Sequence, residues 1–307
     1  MTADSRINIR LYVGALVSTL VALALFRFFA IPWFQKDDDG APPALSAVAA
    51  EVANSLLGAT LAALGISILA FILWGRRPGP GEVEVITPGQ ISGELLAAAR
   101  EASSWTYKGH TGRYFRTAIL PVLSERSRQH GRYIDIRVQL LDPTEDASVR
   151  YFVRYRREVN PERRHYWNEE RARAEIIATI IAVGHAACHS ARLSAEVRIG
   201  GTISPFTHDL APMVAITTRE SSRHTALKYP PGSTFYDSVM EDLHLQADQA
   251  RLIRLPADER ELPVNDDEVR DWMDEVGLPD LWTPSLGTMI ADSLRHPTNP
   301  YEDPGAR

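Results

Sequence analysis

The chain has 307 residues, with 33 Lys and Arg against 39 Asp and Glu, a formal net charge of -6 and a single cysteine. This mildly acidic balance makes no case for nucleic acid as a direct partner. One cysteine excludes an intramolecular disulfide, as expected for a reducing compartment.

Two long apolar runs come first, at 11–33 and 52–74, and each is long enough for a helix to cross a bilayer. The first run is too long for a signal-peptide core and lacks a small-residue cleavage site. Arg6 and Arg10 precede the first run, Arg76 and Arg77 follow the second, and Asp37, Asp38 and Asp39 lie between them. Positive flanks stay in the cytoplasm. The expectation is a hairpin at residues 1–77 in the inner (cytoplasmic) membrane, with both chain termini in the cytoplasm. Small residues at Gly14, Ser18 and Ala22, and at Gly58 and Ala62, allow close helix approach, within the hairpin or between chains of a homo-oligomer. Arg27 lies inside the first run and either snorkels to the interface or faces a bundle interior. Asn54 near the outer end of the second run can cap that helix or bond across an interface.

A Pro/Gly-rich linker is expected at 78–89, an α/β domain at 90–262, and a C-terminal helix with a flexible tail at 263–307. Apolar periodicity predicts helices over 92–102, 112–130, 168–191, 233–251 and 266–276. Alternation and apolar runs predict strands over 104–108, 133–141, 193–200 and 213–218, while 149–157 reads as helix or extended chain. Strands interleaved with helices argue for a mixed-sheet α/β domain. A Pro-rich stretch follows the last helix, and the final ten residues read as disordered.

Two constellations carry chemistry. The first is WTYKGHTGRYFR, where a strand runs through a glycine-bearing turn into a helix, with Lys108, Gly109, His110, Gly112, Arg113 and Arg116. Amides at a helix N-terminus and clustered cations favour an anion such as phosphate. The alternative is a tight turn with solvated charges. The second is the arginine-rich run that includes Arg154, Arg156 and Arg157 among aromatic residues. It suits a nucleotide, whose phosphates take arginine forks and whose base stacks, or a surface near anionic headgroups. His185 and His189 stand four apart on a helix with Cys188 beside them, a spacing that holds zinc, but the sequence offers no evident third ligand. A helix-face or core role is therefore expected for them, with no metal and no cofactor.

The order SSWTYKGHTGRYFRTAILPVL, IDIRVQLLDP, a long helix, LSAEVRIGGTISPFTHDLAPMVAITT and STFYDSVMEDL resembles one phospholipase D-like unit over roughly residues 90 to 255. The resemblance implies a catalytic H-x-K-x(4)-D, with the histidine as nucleophile and the lysine holding phosphate. Here the histidine is His208, but Leu210 stands two residues on and Ala215 seven on. Only one copy is present, and the family's active site needs two. The pattern implies a degenerate relative that keeps a phosphate-binding habit, with His208 its sole catalytic candidate.

A two-span hairpin joined to such a domain is similar to membrane effectors of bacterial antiphage defence systems. That likeness implies a cytoplasmic sensor of a nucleotide second messenger, or of a partner defence protein, whose spans oligomerise and permeabilise the bilayer. The alternatives are a membrane-tethered phosphodiesterase using His208 and a scaffold that recruits a protein partner.

Overall fold

The computed structural model describes residues 83–129, 131–220 and 223–296. The chain divides into two compact units, Met1–Gly79 and Pro80–Arg307, of which the second is described below. Both expected spans, and with them Gly14, Ser18, Ala22, Arg27, Asn54, Gly58 and Ala62, lie outside the described residues, as do the final residues of the tail. Among the described residues no helix is long and apolar enough to cross a membrane.

The architecture is mixed α/β. Strand β1 (Glu84–Ile86) leads into α1 (Pro88–Glu101), β2 (Ser104–Lys108), a π-helical turn (Phe115–Ile119) and α2 (Leu120–Gln129). Then come β3 (Ile134–Leu141), α3 (Asp146–Val159), α4 (Glu169–Cys188) and β4 (Leu193–Gly200). Strands β5 (Phe206–Ala211), β6 (Val214–Arg219) and β7 (Ala226–Tyr229) follow, with α5 (Thr234–Gln249), β8 (Arg251–Ile253), α6 (Asp266–Glu275) and α7 (Pro284–Arg295) completing the unit. All eight strands form one sheet in the order β1-β7-β6-β5-β2-β3-β4-β8. Only β2, β3 and β4 run parallel, and the outer strands pair antiparallel. Parallel neighbours require crossover connections, which the helices between them supply.

Helix starts follow from side-chain chemistry. Asn168, Ser233, Asn265 and Thr283 each accept an amide of the first turn of α4, α5, α6 and α7. Pro88 and Pro284 sit at the first positions of α1 and α7, where a missing N–H costs nothing. Helix α4 is buried around most of its circumference, from Ala174 through Val183. It lies in the core with α7 packed on it, and a helix apolar all round is a core helix. Gly184 admits the Trp272 ring of α6, which a Cβ would meet at 3.1 Å.

Several expectations change in detail. Residues 149–157 are helical, within α3. The stretch after 276, read as Pro-rich, contains α7, whose Leu286, Ile290 and Ala291 are buried. Its proline belongs to a helix start, so proline content there does not signal disorder. Strands β1, β5, β7 and β8 were not expected from alternation. Three of these have four residues or fewer, and β5 carries His208 and Asp209 where an apolar rhythm would run.

Candidate functional site

A row of polar side chains crosses the sheet beneath α5. Backbone register pairs Arg198 with Gln139, Gln139 with Lys108, Lys108 with His208 and His208 with Thr217. Paired residues point to the same face, so five neighbouring strands contribute one polar side chain each. Helix α5 takes up part of this row. Gln139 donates Nε2–H to the Leu243 carbonyl at 2.8 Å, and Arg198 donates to the Ala247 carbonyl at 2.9 Å. Tyr236 anchors the other end of the helix through the Ala211 carbonyl at 3.0 Å. Leu243 is the one buried residue of α5, while Phe235, Met240 and Leu245 face outward.

Lys108 sits at the middle of the row and is 8 % exposed. Among the described residues no hydrogen-bond acceptor or carboxylate contacts its ammonium. Burial pushes its pKa down, and the charge of the exposed Asp242 partly opposes that. A largely buried cation that makes no ion pair is incompletely compensated, and that is costly. His208 beside it is held down to about 4, first by burial and then by the Lys108 charge, so it is neutral at pH 7. Its Nδ1 lies 3.0 Å from the Thr217 hydroxyl. The sequence lacks a lysine two residues after His208. The fold instead brings a lysine beside His208 from the neighbouring strand.

The loop after β2, expected to hold an anion, is instead knitted into the protein. Gly112 has φ +66°, and a Cβ there would meet Thr179 and Leu140. Gly109 leaves room for the Tyr107 hydroxyl. The π-helical turn directs Phe115, Arg116 and Ile119 inward together. Arg116 is buried, forming a 2.6 Å ion pair with Glu175 and donating at 2.9 Å to the Glu175 carbonyl. Glu175 also pairs with Arg171 at 2.7 Å. Its pKa falls despite burial, because Arg116 leads three arginines that favour the carboxylate.

His110 is also buried. Its Nε2 accepts the Ser204 amide at 3.3 Å, so Nδ1 carries the proton and donates it to Glu220 at 2.5 Å. The ring stacks on Phe152 at 4.6 Å. Arg156 completes this second cluster, with Nη1 2.5 Å from the Glu220 carboxylate and the guanidinium 4.7 Å over the Trp167 ring. His110, Arg116 and Arg156 therefore point into the protein as struts. The residue types suggested cations turned toward a ligand, whereas Glu175 and Glu220, remote in sequence, turn them inward.

The remaining arginines differ. Arg113 lies 5.5 Å over the Tyr166 ring. Arg154 stacks on Tyr151 at 4.8 Å and is exposed, and Arg157 donates Nε–H to the Trp167 carbonyl at 2.8 Å. Arg150, Arg154, Arg157 and Arg164 line an open groove of about 860 Å³ together with Glu158, Glu169 and Glu170. The groove is mixed in charge and is separate from the Lys108 row.

No family model matches the chain. No curated protein matches it either. Among solved structures, the chain is similar to TrmBL2, described as an archaeal chromatin protein with a novel mode of DNA binding, at 8% identity and a TM-score of 0.33. The match covers 66% of this chain and 65% of that one, so it spans less than two thirds of TrmBL2. A likeness at that level assigns neither a ligand nor a family to this chain.

Proposed function

We propose that the protein is a membrane-anchored effector whose α/β domain binds an anionic, nucleotide-like ligand. Its apolar N-terminal runs then assemble and permeabilise the bacterial inner membrane in antiphage defence. The observation that supports a ligand is Lys108, a largely buried cation that makes no ion pair among the described residues and has only the exposed Asp242 as a nearby charge, in a polar row that α5 only partly satisfies. A phosphate oxygen at Lys108 would pair with the ammonium directly and accept from it. The apolar runs support the membrane part of the reading. For the domain to gate the spans, the ligand must bind one assembly state more tightly than the other.

The test uses the full chain in detergent and in dye-loaded vesicles of anionic lipid, with linear and cyclic nucleotides as probes. One nucleotide is expected to raise the melting temperature and release dye. Lys108→Met is expected to weaken that nucleotide about tenfold to a hundredfold, because a charge-assisted bond is lost. The same variant is expected to melt higher than the parent without nucleotide, since it removes a largely buried charge that makes no ion pair. No response to any nucleotide, or an unchanged response in Lys108→Met, would defeat the reading.

A second reading is a phosphodiesterase, favoured by the placement of Lys108 beside neutral His208. In the same assays it would appear as turnover of a phosphodiester that both Lys108→Met and His208→Ala abolish.

A further inference from the structure

The C-terminal end of α4 carries a second cluster that neither the ligand reading nor the membrane reading uses. His185 and His189 are one helical turn apart, with ring centroids at 4.0 Å. The segment after β8 brings Glu261 against them. One ligand atom each from His185, His189 and Glu261 lies within 4.8 Å of the others. The sequence shows the histidine pair but hides the carboxylate, which is brought in by the turn of the chain after β8.

The imidazole of His189 is oriented in the manner of a metal ligand. Its Nδ1 lies 2.9 Å from the carbonyl oxygen of His185, to which it donates. That bond leaves Nε2 as the free lone pair. Nε2 is buried and has no hydrogen-bond partner among the described residues. Two carboxylates face it beyond hydrogen-bond distance, Glu259 at 3.6 Å and Glu261 at 3.8 Å. The gap between these groups is wide for a hydrogen bond and suited to an ion, whose ligands stand about 2.0–2.2 Å from it. The Glu261 side chain is 90% exposed, so it is free to close on the ion. Arg260 between the two carboxylates turns away, 5.4 Å over the Trp272 ring. Both histidines also border a cavity of about 220 Å³, whose lining includes Leu120, Ser124, Arg128, Leu262 and Leu294.

We propose that His185, His189 and Glu261 form a site for a divalent transition-metal ion of the zinc class, with Glu259 within reach as a fourth ligand. Two imidazoles and a carboxylate are the donor set that zinc takes where open positions remain. The ion would clamp the end of α4 to the segment leading into α6, whose Trp272 already donates to the Glu261 carbonyl at 3.0 Å. The proposal is independent of the Lys108 ligand.

The test titrates zinc chloride into the full chain in detergent, purified without a histidine tag and stripped with a chelator. One zinc per chain is expected, with a rise in melting temperature of several degrees. Glu261→Gln, at an exposed position that leaves the fold intact, is expected to weaken binding about tenfold, and His189→Ala about a hundredfold or more. Cys188→Ser is expected to bind as the parent does. Absence of stoichiometric zinc, an affinity unchanged in Glu261→Gln and His189→Ala, or loss of zinc in Cys188→Ser would each overturn the proposal.

Discussion

Glu220→Gln is expected to cost about 3 kcal/mol at neutral pH and almost nothing near pH 2. The carboxylate accepts from His110 and Arg156 and is 14% exposed. Its pKa is lowered to about 2 from 4.5, because the Arg156 charge and then the His110 hydrogen bond outweigh a large burial penalty. A depressed carboxylate stabilises the fold at every pH above its unfolded value and loses that contribution as pH falls toward its folded value. The window is therefore about pH 4.5 down to 2, and a shift of this size corresponds to roughly 3 kcal/mol. Losing one member of a buried pair costs about the same, since the partner charge is left behind. Urea unfolding of the detergent-held chain, followed by tryptophan fluorescence, measures it. A variant as stable as the parent at pH 7 would mean that Arg156 finds its charge balance elsewhere.

The opposite sign is expected at Asp209, where Asp209→Asn should stabilise the protein in mildly alkaline buffer. Asp209 is 4% exposed, and among the described residues it accepts from the Trp105 indole, at 3.1 Å. Burial raises its pKa to about 7 from 3.8, and the indole bond only partly offsets that. Below pH 3.8 the carboxyl is neutral in both states and costs nothing. As pH rises, the unfolded chain ionises first, so stability falls until the folded carboxyl ionises near pH 7 and then levels off. The accumulated penalty is about 4 kcal/mol. Asparagine keeps the acceptor for Trp105 but adds buried N–H donors, and leaving them unpaired costs about 1–2 kcal/mol. A net gain of about 2–3 kcal/mol at pH 8, vanishing or reversing at pH 4, is the expected result. A loss at both pH values would show that the ionised carboxylate is satisfied where it lies.

Much of the fold was legible because the elements that build it are periodic. The strand YIDIRVQLL and the helix over 168–191 read from sequence as they stand in the structure, within a few residues. The short outer strands were illegible, since three or four residues are too few to show a period and their pairing is fixed by partners far along the chain. The site was legible only in residue type. The residues around Lys108 point to it through the glycine turn that follows it in sequence. Its actual setting is a row of five strands that only the register reveals. His110, Arg116 and Arg156 looked like cations awaiting an anion. Their anions, Glu220 and Glu175, stand well along the chain, and nothing in local spacing marks a carboxylate as a partner.

The strand order also dictates a sequence of events during synthesis. The parallel trio β2, β3 and β4 is complete once residue 200 has left the ribosome, and α1 to α4 can pack on it then, with α5 following later. Strand β1 cannot share in that, because its partner is β7, with Ile86 opposite Ala226. It must wait unpaired while the whole intervening chain is made. Closing so long a span delays folding more than it weakens the product, and three residues present a small edge to neighbouring chains in the interval. The segment that joins the domain to the apolar N-terminus thus enters the sheet only after β7 has been made, with β8 alone following it. The N-terminal runs have by then been free of the ribosome for most of the domain's synthesis.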